Sequence, residues 1–272
     1  MKLRKAARVI LIGAPGVGKG TQSARMLERY KELSSISSGD LLRDNVRNRT
    51  PLGIQAEHLM KTGALVPDSM ILRLIQNTLL TRGWLTQPGG PKPLTLNFAS
   101  PYGIQDTLIE NDNFFSNRLP PRKIADEFEY SDSPSASFIL DGFPRTASQA
   151  DKLDELIPIN LVVNISTPTE IILDRICNRY IHQPSGRTYN LTFNKPKVEG
   201  RDDITGEPLT QREDDKPEVW KERLHRFEES SRSLLEHYDK MGILWTVTGN
   251  SSDEISPRLF KEFEKRFGQA GT

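Results

Sequence analysis

Only one cysteine, Cys177, occurs in the 272 residues. An intramolecular disulfide framework is thereby excluded, as is a zinc site built from several cysteines of one chain. Long apolar runs are missing too: nothing approaches the roughly 18 residues needed to cross a bilayer. Neither sign of charge is in excess, since 37 Lys+Arg against 36 Asp+Glu leave a formal net charge of +1. Such a balance argues against a protein whose main business is neutralising a nucleic-acid backbone. The expectation is a soluble protein of a reducing compartment. Acidic residues are locally absent as well. None precedes Glu28, whereas Lys2, Arg4, Lys5, Arg8, Lys19 and Arg25 are basic. Two readings of that start stand side by side: a solvated basic tail, or an import signal kept in the mature chain. The apolar run Val9-Ile10-Leu11-Ile12 leaves little room for a cleaved segment.

What is present is an alternation of short apolar runs with longer helical patterns. Strands are expected at 8–12, 33–37, 137–140, 161–165 and 243–247. Helical spacing falls at 19–33, 39–48, 52–62, 68–82, 148–157, 217–240 and 252–267. Another helix should run from Pro168 to about Tyr180, with Thr167 as its cap, Pro168 at its first position and Glu170 closing a capping box. Strand–helix alternation implies right-handed crossovers, so the fold class is α/β, a doubly wound, five-stranded parallel sheet.

Two stretches break the rhythm. Residues 87–136 hold Pro88, Pro91, Pro93, Pro101, Pro120, Pro121 and Pro134 among many Asn, Asp and Ser. That composition suits a largely disordered insertion, taken as 88–136, in which Phe98, Tyr102, Phe114 and Phe115 could serve a partner. Residues 178–215, rich in Gly, Pro, Asp and Arg with β-like pieces, read as a small inserted subdomain.

The sharpest motif is Gly13-Ala14-Pro15-Gly16-Val17-Gly18-Lys19, between an expected strand and an expected helix. Its glycines let the backbone curl so that N–H groups point inward, the helix N-terminus adds partial positive charge, and Lys19 sets an ammonium against the β/γ-phosphates. Gly20 replaces the usual hydroxyl residue, with Thr21 next. Ser37-Ser38-Gly39-Asp40-Leu41-Leu42-Arg43 puts hydroxyls at a helix start and an arginine one turn in. Asp141-Gly142-Phe143-Pro144-Arg145 lies at a strand's C-terminal end, where open α/β sheets bind ligands. Arg175, Arg179, Arg212 and Arg223 flank the 178–215 subdomain. Several guanidinium forks around a phosphate loop suggest a polyphosphate clamp.

These motifs, with NRYIHQPSGRTYN (178–190) and the run from PKVEG (196–200) through DDITGEP (202–208) to QREDD (211–215), occur in the order found in adenylate kinases. The sequence resembles that family over nearly its whole length except 87–136, and within it the mitochondrial GTP:AMP phosphotransferase branch, fungal members above all. The resemblance implies a P-loop core (1–36, 67–177, 216–272), an AMP-binding lobe at 37–66 and a mobile β lid at 178–215. It implies that Gly16, Val17, Gly18, Lys19, Gly20 and Thr21 cradle the donor triphosphate, with Arg179, Thr188, Tyr189 and the turn at Ser251 touching the donor nucleotide. AMP would be met by Ser38, Arg43, the Ala64-Leu65-Val66 backbone, Gly142, Phe143, Pro144, Arg145 and Gln149, the last reading the base. Arg212 and Arg223 would bridge the phosphates of both substrates. Lys19, Arg43, Arg145, Arg179, Arg212 and Arg223 would form the catalytic set, and Asp141 would hold Mg2+ through water.

The implied reaction converts GTP and AMP to GDP and ADP in the mitochondrial matrix, by a monomer that takes small nucleotides and has no nucleic-acid or membrane partner. Some family lids bind zinc through cysteines. The corresponding positions here are His182, Ser185, Asp202 and Thr205, for which a hydrogen-bonded polar cluster is expected and no structural zinc. Cys177 reads as a small packed residue, and Asp214-Asp215 as orienting lid arginines. His58, His225 and His237 read as helix-surface residues without a role. An ATP-dependent adenylate kinase with the same sites remains open. A GTP-binding switch should carry Asn-Lys-x-Asp, and the one candidate, Asn194-Lys195-Pro196-Lys197, lacks the aspartate. A UMP or CMP kinase is disfavoured by the long lid and by Gln149.

Overall fold

The computed structural model describes residues 2–61, 66–86, 129–211, 215 and 217–269. In chain order it contains β1 (Arg8–Ile12), α1 (Lys19–Arg29), β2 (Leu33–Ser37), α2 (Ser38–Arg47), α3 (Pro51–Lys61), α4 (Asp68–Thr81), β3 (Leu85–Thr86) and β4 (Glu129–Tyr130). There follow β5 (Ser137–Asp141), α5 (Ala147–Asp154), β6 (Leu161–Ser166), α6 (Thr169–Cys177), β7 (Arg179–Ile181), β8 (Thr188–Asn190), α7 (Pro217–Lys240), β9 (Leu244–Thr248) and α8 (Ser252–Phe267).

The main sheet has five strands in the order β2-β5-β1-β6-β9, and every pairing is parallel. Its three inner strands, β5, β1 and β6, are largely apolar on both faces because helices cover both. Val9, Leu11, Ile139, Val163 and Ile165 face a core with Met26 of α1, Ile172 and Ile176 of α6, and Leu259 and Phe263 of α8. The alternate residues Ile10, Ile12, Phe138, Leu140 and Val162 face Leu72, Ile75 and Leu79 of α4, Ala150 and Leu153 of α5, and Leu234 and Tyr238 of α7. A one-residue slip in β1 would exchange these two sets. The registers Ser37↔Asp141 and Leu11↔Asp141 bring the C-terminal ends of β2, β1 and β5 level. Chain direction diverges beside β1, and the crevice at that switch point is where such sheets hold ligands.

Helices α2 and α3 form a lobe on a small core of Leu42, Ala56 and Leu74 with Leu52, Val66 and Met70 packed around it. Gly53 is required there, since a Cβ would overlap the Asn45 carbonyl of α2. The segment after α6 is held by its own ladder, β7 antiparallel to β8, extended by bridges Ile181↔Thr210 and Arg201↔Pro208.

Four expectations change. The basic start is not a solvated tail. Leu3, Ala6 and Ala7 are buried, Leu3 bridges Gly268, and the Arg4 amide donates to the Phe267 carbonyl at 2.8 Å. Residues 87–128 lie outside the described ones, together with Phe98, Tyr102, Phe114 and Phe115. However, 129–136 are built into the fold, with Leu85 paired to Tyr130 and Thr86 to Glu129, followed by a 3-10 turn at Pro134–Ala136. Helix α6 stops at Cys177, because Arg179–Ile181 is drawn into the lid ladder. Its capping box does not form. Pro168 is the N-cap, and the Thr167 hydroxyl instead donates to the Gly249 carbonyl at 2.8 Å, beyond the end of β9.

Candidate active site

The loop after β1 needs glycine for space as much as for conformation. Gly16 has φ +87°, and a Cβ there would run into Ile176 of α6. Helix α1 starts with Gly18 as cap and no side-chain capping bond, and its first turn holds no acidic residue. The first amides of α1 therefore lack a side-chain cap, and the dipole end is biased toward an anion. The loop is held from below by Trp220 of α7, whose indole N–H donates to the Pro15 carbonyl at 2.9 Å.

Lys19 Nζ lies within this loop, donating to the Gly13 carbonyl at 2.7 Å and the Ala14 carbonyl at 3.2 Å. Burial, with repulsion from Arg145, Arg223 and Arg179 overriding some of the attraction of Asp141, pushes its pKa down to about 8. Arg145 is lowered for the same first reason, burial, and then by Arg223. Three guanidinium groups and an ammonium thus converge from the P-loop, the β5 loop, the lid entrance and α7. These like charges repel one another, and a bound polyanion would relieve that repulsion. Asp141, at the end of β5, is pushed up by burial and by Asp40, and pulled down by Lys19.

The β5 loop turns at Gly142, φ +85°, where a Cβ would lie 2.7 Å from Ser38 Oγ. The peptide Phe143-Pro144 is cis, Phe143 is buried, and Arg145 Nε donates to the Gly142 carbonyl at 2.9 Å. Ser38, buried, donates to the Asp141 carbonyl at 3.4 Å. Gln149 of α5 is doubly held: its Oε1 accepts from the Arg145 amide and its Nε2 donates to Asp68, both at 2.7 Å. Arg43 stays apart from the Lys19 cluster, folded over Gly39 and bonded to Asp40 at 2.5 Å. Val66 packs in the α2–α3 lobe. Ala64, Leu65 and Arg212 lie outside the described residues.

On the opposite side, Arg179 bonds the buried Asp215 through two nitrogens, one at 2.8 Å. Asp214 is outside the described residues. The turn at 249–251 has its carbonyls engaged, Gly249 by Thr167 and Asn250 by Arg175 Nη2 at 2.6 Å. Arg175 also reaches the Val17 carbonyl at 3.2 Å, so one guanidinium ties this turn to the P-loop. Ser251 caps α8 by accepting from the Glu254 amide at 3.2 Å. Gly20, Thr21 and Thr188 are exposed.

The lid's interior is a polar network centred on Asp202. Its carboxylate accepts from Arg187 Nε and Nη2 at 2.8 and 2.6 Å, Tyr189 OH at 2.9 Å, and the Thr205 amide at 2.8 Å. The Arg187 pairing holds it far below the usual carboxylate range. His182 lies 2.7 Å from Ser185 Oγ and 3.3 Å from Thr205 Oγ1. His182, Ser185, Asp202 and Thr205 therefore form one hydrogen-bonded cluster, to which Arg187 and Glu207 were not foreseen contributors. Tyr189 is buried within it. Cys177 is exposed, contrary to expectation. His237 is likewise not a bare surface residue: it bonds Asp154 at 2.7 Å, linking α7 to α5. Trp220 and Asp68 were not assigned roles from sequence, and Arg175, read there as one arginine of a polyphosphate clamp, bonds the Val17 and Asn250 carbonyls. Their neighbours are remote along the chain, and only the nearness of Trp220 to Arg223 on one helix hinted at a link.

A glycine loop opening a helix beside the central strand of a parallel α/β sheet, with basic side chains converging on it and a polar-cored β subdomain following α6, defines a P-loop nucleotide-binding protein. The family profile described as "Adenylate kinase" matches residues 11–88, and that of "Adenylate kinase, active site lid" matches 179–214. A Saccharomyces cerevisiae protein named "GTP:AMP phosphotransferase, mitochondrial" is 42% identical over 271 residues, covering 98% of this chain and 96% of its own. A Drosophila melanogaster protein of the same name is 36% identical over 255 residues, 94% of each chain. The chain belongs to the adenylate kinase family.

Proposed function

We propose that this protein transfers a phosphoryl group reversibly from GTP to AMP, giving GDP and ADP. The observation that carries the reading is the convergence of Lys19, Arg145, Arg179 and Arg223 on the P-loop, supported by the names of the relatives. The AMP phosphate is already anionic, so the side chains need only align donor and acceptor, neutralise charge and exclude water. Gly16 to Thr21 cradle the donor phosphates. Arg43 and Arg145 take the AMP phosphate, Ser38, Val66, Gly142 to Pro144 and Gln149 line the AMP pocket, and Arg212 and Arg223 span both substrates. Arg179, Thr188, Tyr189 and the turn at Ser251 approach the donor nucleoside. Residues 37–66 act as the AMP lobe and 178–215 as the lid, whose closure protects the donor from hydrolysis.

Asp141 suits a magnesium ion held through water. Its half-buried carboxylate is raised by desolvation and by Asp40, so a hard cation in front of it would relieve both effects. Bound there, Mg2+ would supply neutralisation of the phosphate oxygens. Among the described residues no helix is long and apolar enough to cross a membrane. The relatives' names support a mitochondrial location and nucleotide partners; within the mitochondrion we place the protein in the matrix, as a monomer.

The test is phosphotransfer to AMP with Mg2+, comparing kcat/KM for GTP, ITP and ATP. Preference for GTP and ITP supports the reading, preference for ATP makes the protein an ATP-dependent adenylate kinase, and no transfer with any donor refutes it.

A further inference from the structure

We propose that Asp68 is a specificity-determining positioning residue, which locks the side-chain amide of Gln149 in the orientation that accepts adenine and rejects 6-oxopurines. The proposal rests on the reading of Gln149 as the residue that meets the AMP base. Asp68 is the first residue of α4, where the chain leaves the AMP lobe, and its Oδ1 accepts from Gln149 Nε2 at 2.7 Å. On the amide's other side, the backbone N–H of Arg145 donates to Gln149 Oε1 at 2.7 Å. Ordinarily an amide's oxygen and nitrogen are interchangeable by a half-turn of the terminal torsion. Here they are not. An ionised carboxylate only accepts and a backbone N–H only donates, so a flipped amide would set oxygen against oxygen at Asp68 and N–H against N–H at Arg145.

The amide has two lone pairs and two N–H groups. With one of each committed internally, one acceptor and one donor remain, in a fixed left-to-right order. On its Watson–Crick edge adenine offers the exocyclic N6 amino group as donor and the adjacent ring nitrogen N1 as acceptor. Hypoxanthine and guanine present the reverse at the same two positions, a carbonyl and a ring N–H. For a base whose pose is set by the phosphate and the rest of the pocket, reading them requires the flip that Asp68 and Arg145 forbid. Lys152 Nζ lies 3.4 Å from the other carboxylate oxygen, Asp68 Oδ2, leaving Oδ1 to the Gln149 amide. The backbone donor at Arg145 cannot be mutated away, which leaves Asp68 as the alterable half of the lock.

The experiment measures kcat and KM for AMP and for IMP at saturating donor in the wild type and in Asp68→Asn, whose own amide can face Gln149 with either atom. The expected result is a fall of about tenfold or more in the AMP/IMP ratio of kcat/KM, carried mainly by KM, with donor KM unchanged. Asp68→Glu, which stays accept-only, should retain more of the ratio than Asp68→Asn, and Lys152→Met should leave most of it intact. An unchanged ratio in a folded Asp68→Asn protein overturns the proposal, as does an equal loss in Lys152→Met, which would make charge and not bond order the cause. Should Asp68→Asn fail to fold, Asp68→Ser, whose hydroxyl donates or accepts, is read in the same way. A wild type that does not phosphorylate AMP at all would instead sink the underlying functional reading.

Discussion

The depressed pKa of Lys19 makes donor binding a proton-coupled event. Burial of the ammonium, with Arg145, Arg223 and Arg179 opposing Asp141, pushes its pKa down to about 8. A bound triphosphate adds negative charge beside it and should return it to at least the ordinary lysine value of about 10.4. Between those values the complex holds a proton that the free protein lacks, so binding takes up protons and weakens as pH rises. The free protein is about 90% protonated at Lys19 at pH 7, half at pH 8 and about 10% at pH 9. Proton uptake on binding a non-hydrolysable donor should therefore climb from about 0.1 to about 0.9 across that range, and affinity should fall about tenfold. Calorimetry in buffers of differing ionisation enthalpy counts the protons. Lys19→Met is the reference, since the nucleotide's own ionisations are common to both proteins. Wild-type uptake below about 0.2 at pH 9, or uptake equal to that of Lys19→Met, would refute the reasoning. The same environment opposes folding while the lysine is charged, by an amount of order 3 kcal/mol that disappears as pH rises through the unfolded value. Lys19→Met should accordingly melt a few degrees above the wild type at pH 7 without nucleotide, at the expense of activity.

Trp220→Phe keeps the buried ring but removes the N–H that meets the Pro15 carbonyl. It should cost about 1–3 kcal/mol in denaturant unfolding and raise donor KM more than AMP KM. Asp202→Asn should lower hydrogen-exchange protection of amides between 179 and 210 and leave that of β1 and β5 unchanged, because its partners all lie in the lid. The native carboxylate is held far below its unfolded value of about 3.9. Its contribution is thus complete above that value and is lost only as pH falls toward the lowered one, so lid protection should persist from pH 7 to pH 4.

The inner strands were legible because β-branched runs such as Val9–Ile12 stand out between amphipathic stretches, and burial on both faces leaves them no polar alternation to confuse with a loop. The phosphate side of the candidate site was legible because loop, lysine and helix start are contiguous. What supports that side is not contiguous: Trp220 reaches Pro15 across 205 residues, and Gln149 reaches Asp68 across 81. No local pattern encodes such pairs. Thr167 shows the opposite failure. A local capping signal was present, but its hydroxyl found a tertiary acceptor in Gly249, and the competing bond prevailed. Cys177 reads as a packed helix residue until the helix is seen to end there, which turns the side chain to solvent.

The short ladder between Leu85–Thr86 and Glu129–Tyr130, reinforced by the Ser131 amide on the Trp84 carbonyl at 3.0 Å, closes the neck of the segment between them. Thr86 and Glu129, which flank the stretch 87–128, thus meet at a single clasp anchored to the core by Leu85. A clasp of this kind behaves as a splice point. A tight two-residue turn should replace the whole excursion, and a foreign domain whose ends lie close together should be accepted in its place, with the parallel sheet unaware of either exchange.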